Sequence, residues 1–181
     1  MKLWLVRHAR PLVPSGVCYG ALDVSADENA TQVAAVALAG VLPRGVQLVS
    51  SPLQRCEQLT QCLRGLRPDL YLNIDARLAE MDFGAWEGQR WDAIARAELD
   101  GWAEFFDTWR CGGAENVRTF MARVGAAWDD TCACARPTVW VTHAGVIRAA
   151  TLLAHGVRQI EQADRWPMHA PAWGQWLTLE V

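Results

Sequence analysis

Two histidines and two arginines stand where this chain could carry out chemistry. Arg7 and His8 end the apolar run Leu3-Trp4-Leu5-Val6, and His143 follows a second run, Val139-Trp140-Val141. Arg55 lies in Ser51-Pro52-Leu53-Gln54-Arg55, directly after a third run, Val46-Gln47-Leu48-Val49. Runs this short and this bulky read as strands buried on both faces of a parallel sheet. Ligands of such sheets bind outside the carboxyl ends of the strands, so the four side chains share one crevice if the three strands are neighbours. Guanidinium groups fork onto the oxygens of a tetrahedral dianion, and helix N-termini add backbone donors. An imidazole can attack phosphorus. The chemistry open to this set is therefore phosphoryl transfer. His8, one residue past its strand, is the candidate nucleophile. It must be neutral to attack, and nearby arginines favour the neutral ring by like-charge repulsion. Arg7, Arg55 and His143 are the candidate phosphate clamp, with protonated His143 opposing charge on the transferring group.

The elements that must position these residues can be read in order. A loop over residues 9–26 carries Pro11, Pro14, Gly16 and Gly20. A helix capped by Ser25 or Asp27 then runs to about Gly40, and a second runs from about Pro52 to Leu63 before Gly65 and Pro68. With a third strand at residues 70–74, the chain spells βαβαβ, a parallel sheet with right-handed crossovers. Residues 78–120 break the rhythm with Phe83, Trp86, Trp91, Trp102, Phe105, Phe106 and Trp109. The spacing from Trp91 to Phe106 predicts a helical, aromatic, cap-like insertion over the strand ends, or aromatic packing of that segment on the sheet. A long helix is predicted from Gly112-Gly113-Ala114-Glu115 to about Ala133, with Phe120, Val124 and Trp128 on one face. A strand at 138–142, a helix from Val146 to Leu153 and an edge strand within 173–181 complete the chain. The expected fold is one α/β domain over residues 1–181: three α/β/α layers around a mostly parallel sheet.

Composition bounds the function. A chain of 181 residues, 51% hydrophobic and 20% charged, is a globular domain with a substantial core. Its net charge of −3 offers no basic excess for nucleic acid. Lys2 is the one lysine, so neither a P-loop lysine nor a Schiff-base lysine is available. The six cysteines lack the paired spacing of a structural zinc site, so no metal or other cofactor is expected. No apolar run approaches membrane length and no secretory segment precedes the first strand, so the expected location is the cytoplasm.

Four stretches carry a resemblance: Leu5-Val6-Arg7-His8; Ser51 to Gln58; Leu78-Ala79-Glu80-Met81-Asp82-Phe83-Gly84-Ala85-Trp86-Glu87-Gly88; and Val141-Thr142-His143-Ala144-Gly145-Val146-Ile147-Arg148. In this order they resemble the histidine phosphatase superfamily, which also contains the cofactor-dependent phosphoglycerate mutases. The resemblance implies a metal-independent phosphomonoesterase in which His8 is phosphorylated and water then cleaves the phosphohistidine. It implies Arg7, His8, Arg55 and His143 as phosphate ligands. It also selects Glu80, which precedes Phe83-Gly84 amid Asp82 and Glu87, as general acid, with Asp82 next in line. Glu115 resembles the glutamate of a family Gly-Glu motif, although a helix-terminal carboxylate is explained equally by the helix dipole.

The chain also departs from that pattern. The family's glycine after the histidine is Ala9, its next polar positions are Arg10 and Pro11, and the asparagine ligand of mutases is Pro14. These changes disfavour the mutase reaction and leave phosphatase chemistry intact. Arg10 either supplies the lost phosphate donors or is solvated. Cys18-Tyr19-Gly20 is similar to the first loop of bacterial α-ribazole phosphatases of cobalamin assembly, which makes Tyr19 a candidate substrate contact and α-ribazole 5′-phosphate the expected substrate. The alternatives are a phosphatase for another small phosphate ester, a mutase-like enzyme, or a phosphate-binding module without turnover. The partner in each case is a small phosphate ester. The sequence sets no oligomeric state.

Overall fold

The computed structural model describes residues 1–181. Five strands form one sheet: β1 (Lys2–Arg7), β2 (Gln47–Ser50), β3 (Leu72–Ile74), β4 (Thr138–Thr142) and β5 (Trp176–Glu180). Their order is β3-β2-β4-β1-β5, parallel throughout except β5, which runs antiparallel to β1. The architecture expected from the sequence is therefore the one observed, including the edge position of the last strand.

Alternation along the strands builds two cores from one sheet, because successive side chains point to opposite faces. Leu3 and Leu5 of β1 and Trp140 of β4 face one side. There they meet α4 (Val117–Cys134) through Phe120, Val124 and Trp128, and α5 (Ala144–Ala154) through Ile147 and Leu153. Trp4, Val6, Val139 and Val141 face the other side, against α1 (Glu28–Val41) and α2 (Gln54–Leu66) through Leu38, Leu59 and Leu63. Every residue of β4 is buried, as a central parallel strand requires. β1 and β4 are neighbours in register, with Arg7 opposite Thr142, so His8 and His143 leave the sheet side by side. β2 flanks β4 on the other side and carries the chain into α2, which starts one residue before Arg55.

The segment at 78–120 differs from the predicted helical cap. It has one short helix, α3 (Arg96–Glu104), none of whose residues is buried, between single 3-10 turns. Trp91 lies in such a turn, and Phe105 and Phe106 follow the helix. The aromatics meet between turns and that helix: Trp91 stacks on Trp102 of α3 at 6.4 Å, and Trp102 on Phe106 at 5.8 Å, centroid to centroid. The long helix begins later than predicted. Gly112 and Gly113 have φ of 53° and 81°, left-handed values that cannot open a helix. Asn116 is the true cap, accepting from Thr119 N while the Thr119 hydroxyl accepts from Asn116 N. Such a reciprocal cap stabilises a helix by about 1 kcal/mol.

Candidate active site

His8 is 2% exposed. Its backbone amide donates to Thr142 O at 3.0 Å, which extends the β1–β4 pairing by one residue, and its Nδ1 lies 2.7 Å from Ala9 O. A carbonyl only accepts, so the proton sits on Nδ1 and Nε2 carries the free lone pair. Burial, then Arg55, then Arg7 push the ring down to about 3, outweighing the Ala9 bond. His8 is thus neutral at pH 7 with Nε2 unprotonated, the form that the expected nucleophile needs.

His143 caps α5 and is fully buried, its ring centroid 5.2 Å from that of His8. Burial, followed by Arg55 and His8, holds it well below the ordinary imidazole value. This favours the neutral ring, whereas a dianion beside it would act in the opposite sense, toward the protonated form expected from the sequence. Its Nε2 is 2.8 Å from Ser51 Oγ, and its buried Nδ1 has no partner. With the Ser51 hydroxyl donating to Nε2, Nδ1 keeps its hydrogen and is the ring atom left to donate to an anion.

The two arginines are held differently. Arg55 is fully buried, its Nη1 and Nη2 donating to Leu22 O at 2.9 Å and Gly20 O at 2.6 Å beneath the Tyr19 ring. Its Nε is buried without a partner. Arg7 donates through Nη1 to Pro171 O at 3.0 Å and lies 5.4 Å from the Trp173 ring. Desolvation lowers its pKa, with Tyr19 and Glu80 opposing. Fully buried Arg55 and half-buried Arg7 beside neutral imidazoles are a costly arrangement that a dianion would compensate.

The carboxylates separate cleanly. Glu80 Oε2 accepts from Gly145 N at 2.9 Å and Oε1 from Met81 N at 3.1 Å, which places Glu80 at the N-terminus of α5. A Cβ on Gly145 would collide with Oε1. Asp82 accepts from Gly84 N at 2.8 Å and is exposed. Glu87 binds the amides of Ala21, Leu22 and Phe83, and so ties the first loop to the aromatic segment.

Arg7, His8, Tyr19 and Glu80 line a cavity of about 350 Å³. Its other walls are mostly apolar: Phe83, Trp91, Trp102, Phe106, Phe120 and Trp166 among them. Arg55 and His143, both fully buried, do not line it, and neither do Asp82 and Arg10. Arg10 faces a neighbouring groove with residues 11–17, Tyr19 and Trp173, and pairs with Asp27 at 3.7 Å. The first loop therefore brings Tyr19 to His8 and leaves Arg10 outside. His155 and His169 are exposed, as expected. The sequence reading missed Arg148, Phe120 and Trp166. Arg148 was legible by helical spacing, since it lies four residues after Ala144, which also lines the cavity. Trp166, far along the chain from the aromatic segment it completes, left no such signal.

Comparison with known families accounts for this arrangement. The family model described as histidine phosphatase superfamily (branch 1) matches residues 3–178. The chain belongs to this superfamily. Among solved structures, it is similar to mycobacterial glucosyl-3-phosphoglycerate phosphatase, with 27% identity, TM-score 0.72, and coverage of 86% of this chain and 80% of that one. That enzyme's complex with inorganic phosphate aligns with TM-score 0.79 at 26% identity over 99% and 89% of the chains. A Thermus thermophilus protein, TTHB049, aligns at 25% identity and TM-score 0.72 over 99% and 94%. A comparison with curated protein sequences found no match. As a histidine phosphatase with phosphatase neighbours, the protein is a phosphoric monoester hydrolase. No helix is long and apolar enough to cross a membrane.

Proposed function

We propose that this histidine phosphatase hydrolyses its ester through a phosphohistidine on His8, and that its substrate is a base-bearing, nucleotide-like monophosphate, with α-ribazole 5′-phosphate foremost. His8 Nε2 forms the N–P bond as the ester P–O bond breaks, and Glu80 in its acid form protonates the departing alkoxide. Arg7, Arg55 and the His143 Nδ1–H hold the phosphoryl oxygens. Water, deprotonated by the Glu80 carboxylate, then attacks phosphorus. The N–P bond breaks, its electron pair returns to Nε2, and inorganic phosphate leaves. Every proton in this cycle moves between substrate, water and Glu80.

The observation that carries the reading is one cavity holding neutral His8, Glu80 and a wall of aromatic rings. The polar end suits a phosphomonoester, and Glu80 on that wall has no task in a module that only binds phosphate. The aromatic end suits a planar base such as dimethylbenzimidazole, whereas a glycerate phosphate presents no flat face. Tyr19, beside Arg55 and Arg7, bridges the two ends. The cytoplasm is the proposed location, and the six free thiols are consistent with it.

A second reading comes from the solved relative that acts on glucosyl-3-phosphoglycerate: a sugar-bearing phosphoglycerate as substrate. A panel of phosphate esters separates the two. The proposal expects kcat/KM to be highest for α-ribazole 5′-phosphate, lower for other nucleotide-like monophosphates and lowest for phosphoglycerates, with no mutase exchange. A preference for glucosyl-3-phosphoglycerate would overturn the substrate assignment while leaving the phosphohistidine cycle standing.

A further inference from the structure

Arg123, on α4, makes an unusual set of bonds for a residue that no part of the catalytic cycle uses. Its Nη1 donates to Arg77 O at 2.8 Å and Ala79 O at 2.7 Å, and its Nη2 to Glu80 O at 3.0 Å. The same guanidinium meets both oxygens of Glu115, Nε to Oε1 at 2.7 Å and Nη2 to Oε2 at 2.9 Å. Glu115 then reaches the other side of the acid: its Oε2 accepts from Asp82 N at 3.1 Å, and its own amide donates to Asp82 O at 3.1 Å. The main chain is therefore gripped at 77, 79 and 80 on one side of Glu80 and at 82 on the other. The pair is largely sheltered, with side chains 23% and 14% exposed, and Phe120 lies 4.7 Å beneath the guanidinium.

Such a clamp bears on chemistry because Glu80 sits on irregular backbone. Between the 3-10 turn ending at Leu78 and the next at Gly84, residues 79–83 have no helix or strand to fix them. A proton donor must be held to within a fraction of an ångström of the leaving oxygen, and supporting hydrogen bonds supply that rigidity. The Gly145 amide holds the carboxylate end of Glu80; the clamp holds the main chain at Glu80 itself and at its neighbours 79 and 82, inside the outer ties that Thr142 makes to Leu78 O and Glu87 to Phe83 N.

We propose that Arg123 and Glu115 are positioning residues that set Glu80 for proton transfer, acting on the leaving-group step and not on phosphate binding. This rests on Glu80 being the general acid. Arg123 makes no hydrogen bond to His8 or to the phosphate ligands; its charge is felt at His143, which Arg123→Lys preserves, and the nearest role a structure alone would give it is to brace the loop.

The test uses conservative and truncating variants, Arg123→Lys, Arg123→Ala and Glu115→Gln, each assayed with an alkyl phosphate and with p-nitrophenyl phosphate. An alkoxide needs the proton and a nitrophenolate hardly does. In the single-turnover rate of ester cleavage, which precedes the water step that both esters share, Arg123→Lys and Glu115→Gln are expected to lose about tenfold or more on the alkyl ester and less than about threefold on the nitrophenyl ester, with inhibition by inorganic phosphate unchanged. In a Glu80→Gln background the same substitutions should add almost nothing, because the group they position is gone. If Arg123→Ala fails to fold, the two conservative variants still decide the matter. Equal losses on both esters, or losses that add fully to Glu80→Gln, would overturn the clamp. Glu80→Gln alone reports on the parent reading: if it shows no leaving-group selectivity, the acid assignment and the clamp fall together. If it shows selectivity and Arg123→Lys does not, only the clamp falls.

Discussion

The amide of Gly145 donates to Glu80 Oε2 at 2.9 Å, and that contact exists only because residue 145 has no side chain. The first turn of α5 thereby holds an acid from a loop far earlier in the chain, close to where His143 enters from the same helix start. Gly145→Ala should push the Glu80 carboxylate off this site. We expect the single-turnover rate of ester cleavage on an alkyl phosphate to fall by about tenfold or more, with the cleavage of p-nitrophenyl phosphate much less affected and the fold retained, since alanine suits a helix. Unchanged alkyl phosphate cleavage would show that the contact does not place the acid.

The two buried imidazoles make an acid-sensitivity prediction with a definite sign. His8 titrates near 3 in the folded chain and at its ordinary value when unfolded, so between these values the unfolded state binds a proton that the folded state refuses. Stability is then full above the ordinary value of about 6.5 and is lost as pH falls below it, at up to about 1.4 kcal/mol per pH unit for each such histidine. His143 is lowered in the same direction and adds to the loss. Denaturant unfolding at pH 7, 6 and 5 should show His8→Asn losing less stability than wild type over this interval. Parallel pH profiles for the two proteins would contradict the buried neutral His8.

Trp166 closes the aromatic wall from outside the segment that supplies most of it, packing on Phe106 at 6.1 Å and Phe120 at 6.3 Å. If this wall stacks on a planar base, Trp166→Ala should lower kcat/KM for α-ribazole 5′-phosphate about tenfold, the scale of one base–aromatic contact. Glycerol phosphate, which has no ring to stack, should change by less than about threefold. Equal losses on the two would assign Trp166 to packing alone.

How far the sequence could be read depended on whether its signals were local. β1 and β4 were legible because an all-apolar run has few alternatives in a parallel sheet, and His8 and His143 follow those runs directly. Glu80 was separable from Asp82 and Glu87 by resemblance, and the three carboxylates have different partners in the fold. How much of the aromatic segment is helix was not legible, because a helix and a packed loop can bury the same tryptophans; here Trp102 stands on α3, and Trp91 and Phe106 reach it from outside the helix. The start of α4 was misplaced because Gly112 and Gly113 adopt left-handed turns, while the capping box at Asn116 and Thr119 went unread. Arg10 looked like a substitute phosphate ligand from its place beside His8, but residues after a strand end diverge quickly, and its side chain turns to Asp27. Arg123 was illegible for a more basic reason: its acceptors are main-chain carbonyls, which carry no residue identity.

The central claim is that His8 Nε2 carries the phosphoryl group. Acid-free quenching of a reaction with substrate labelled in its phosphate, followed by digestion and mass mapping, tests it most directly. The account predicts a label on the peptide bearing His8 that is lost in acid and survives base, and that is absent from a folded His8→Ala protein with turnover lowered by several orders of magnitude. Label on another residue, or His8→Ala protein that still hydrolyses the ester at a wild-type rate, would contradict it.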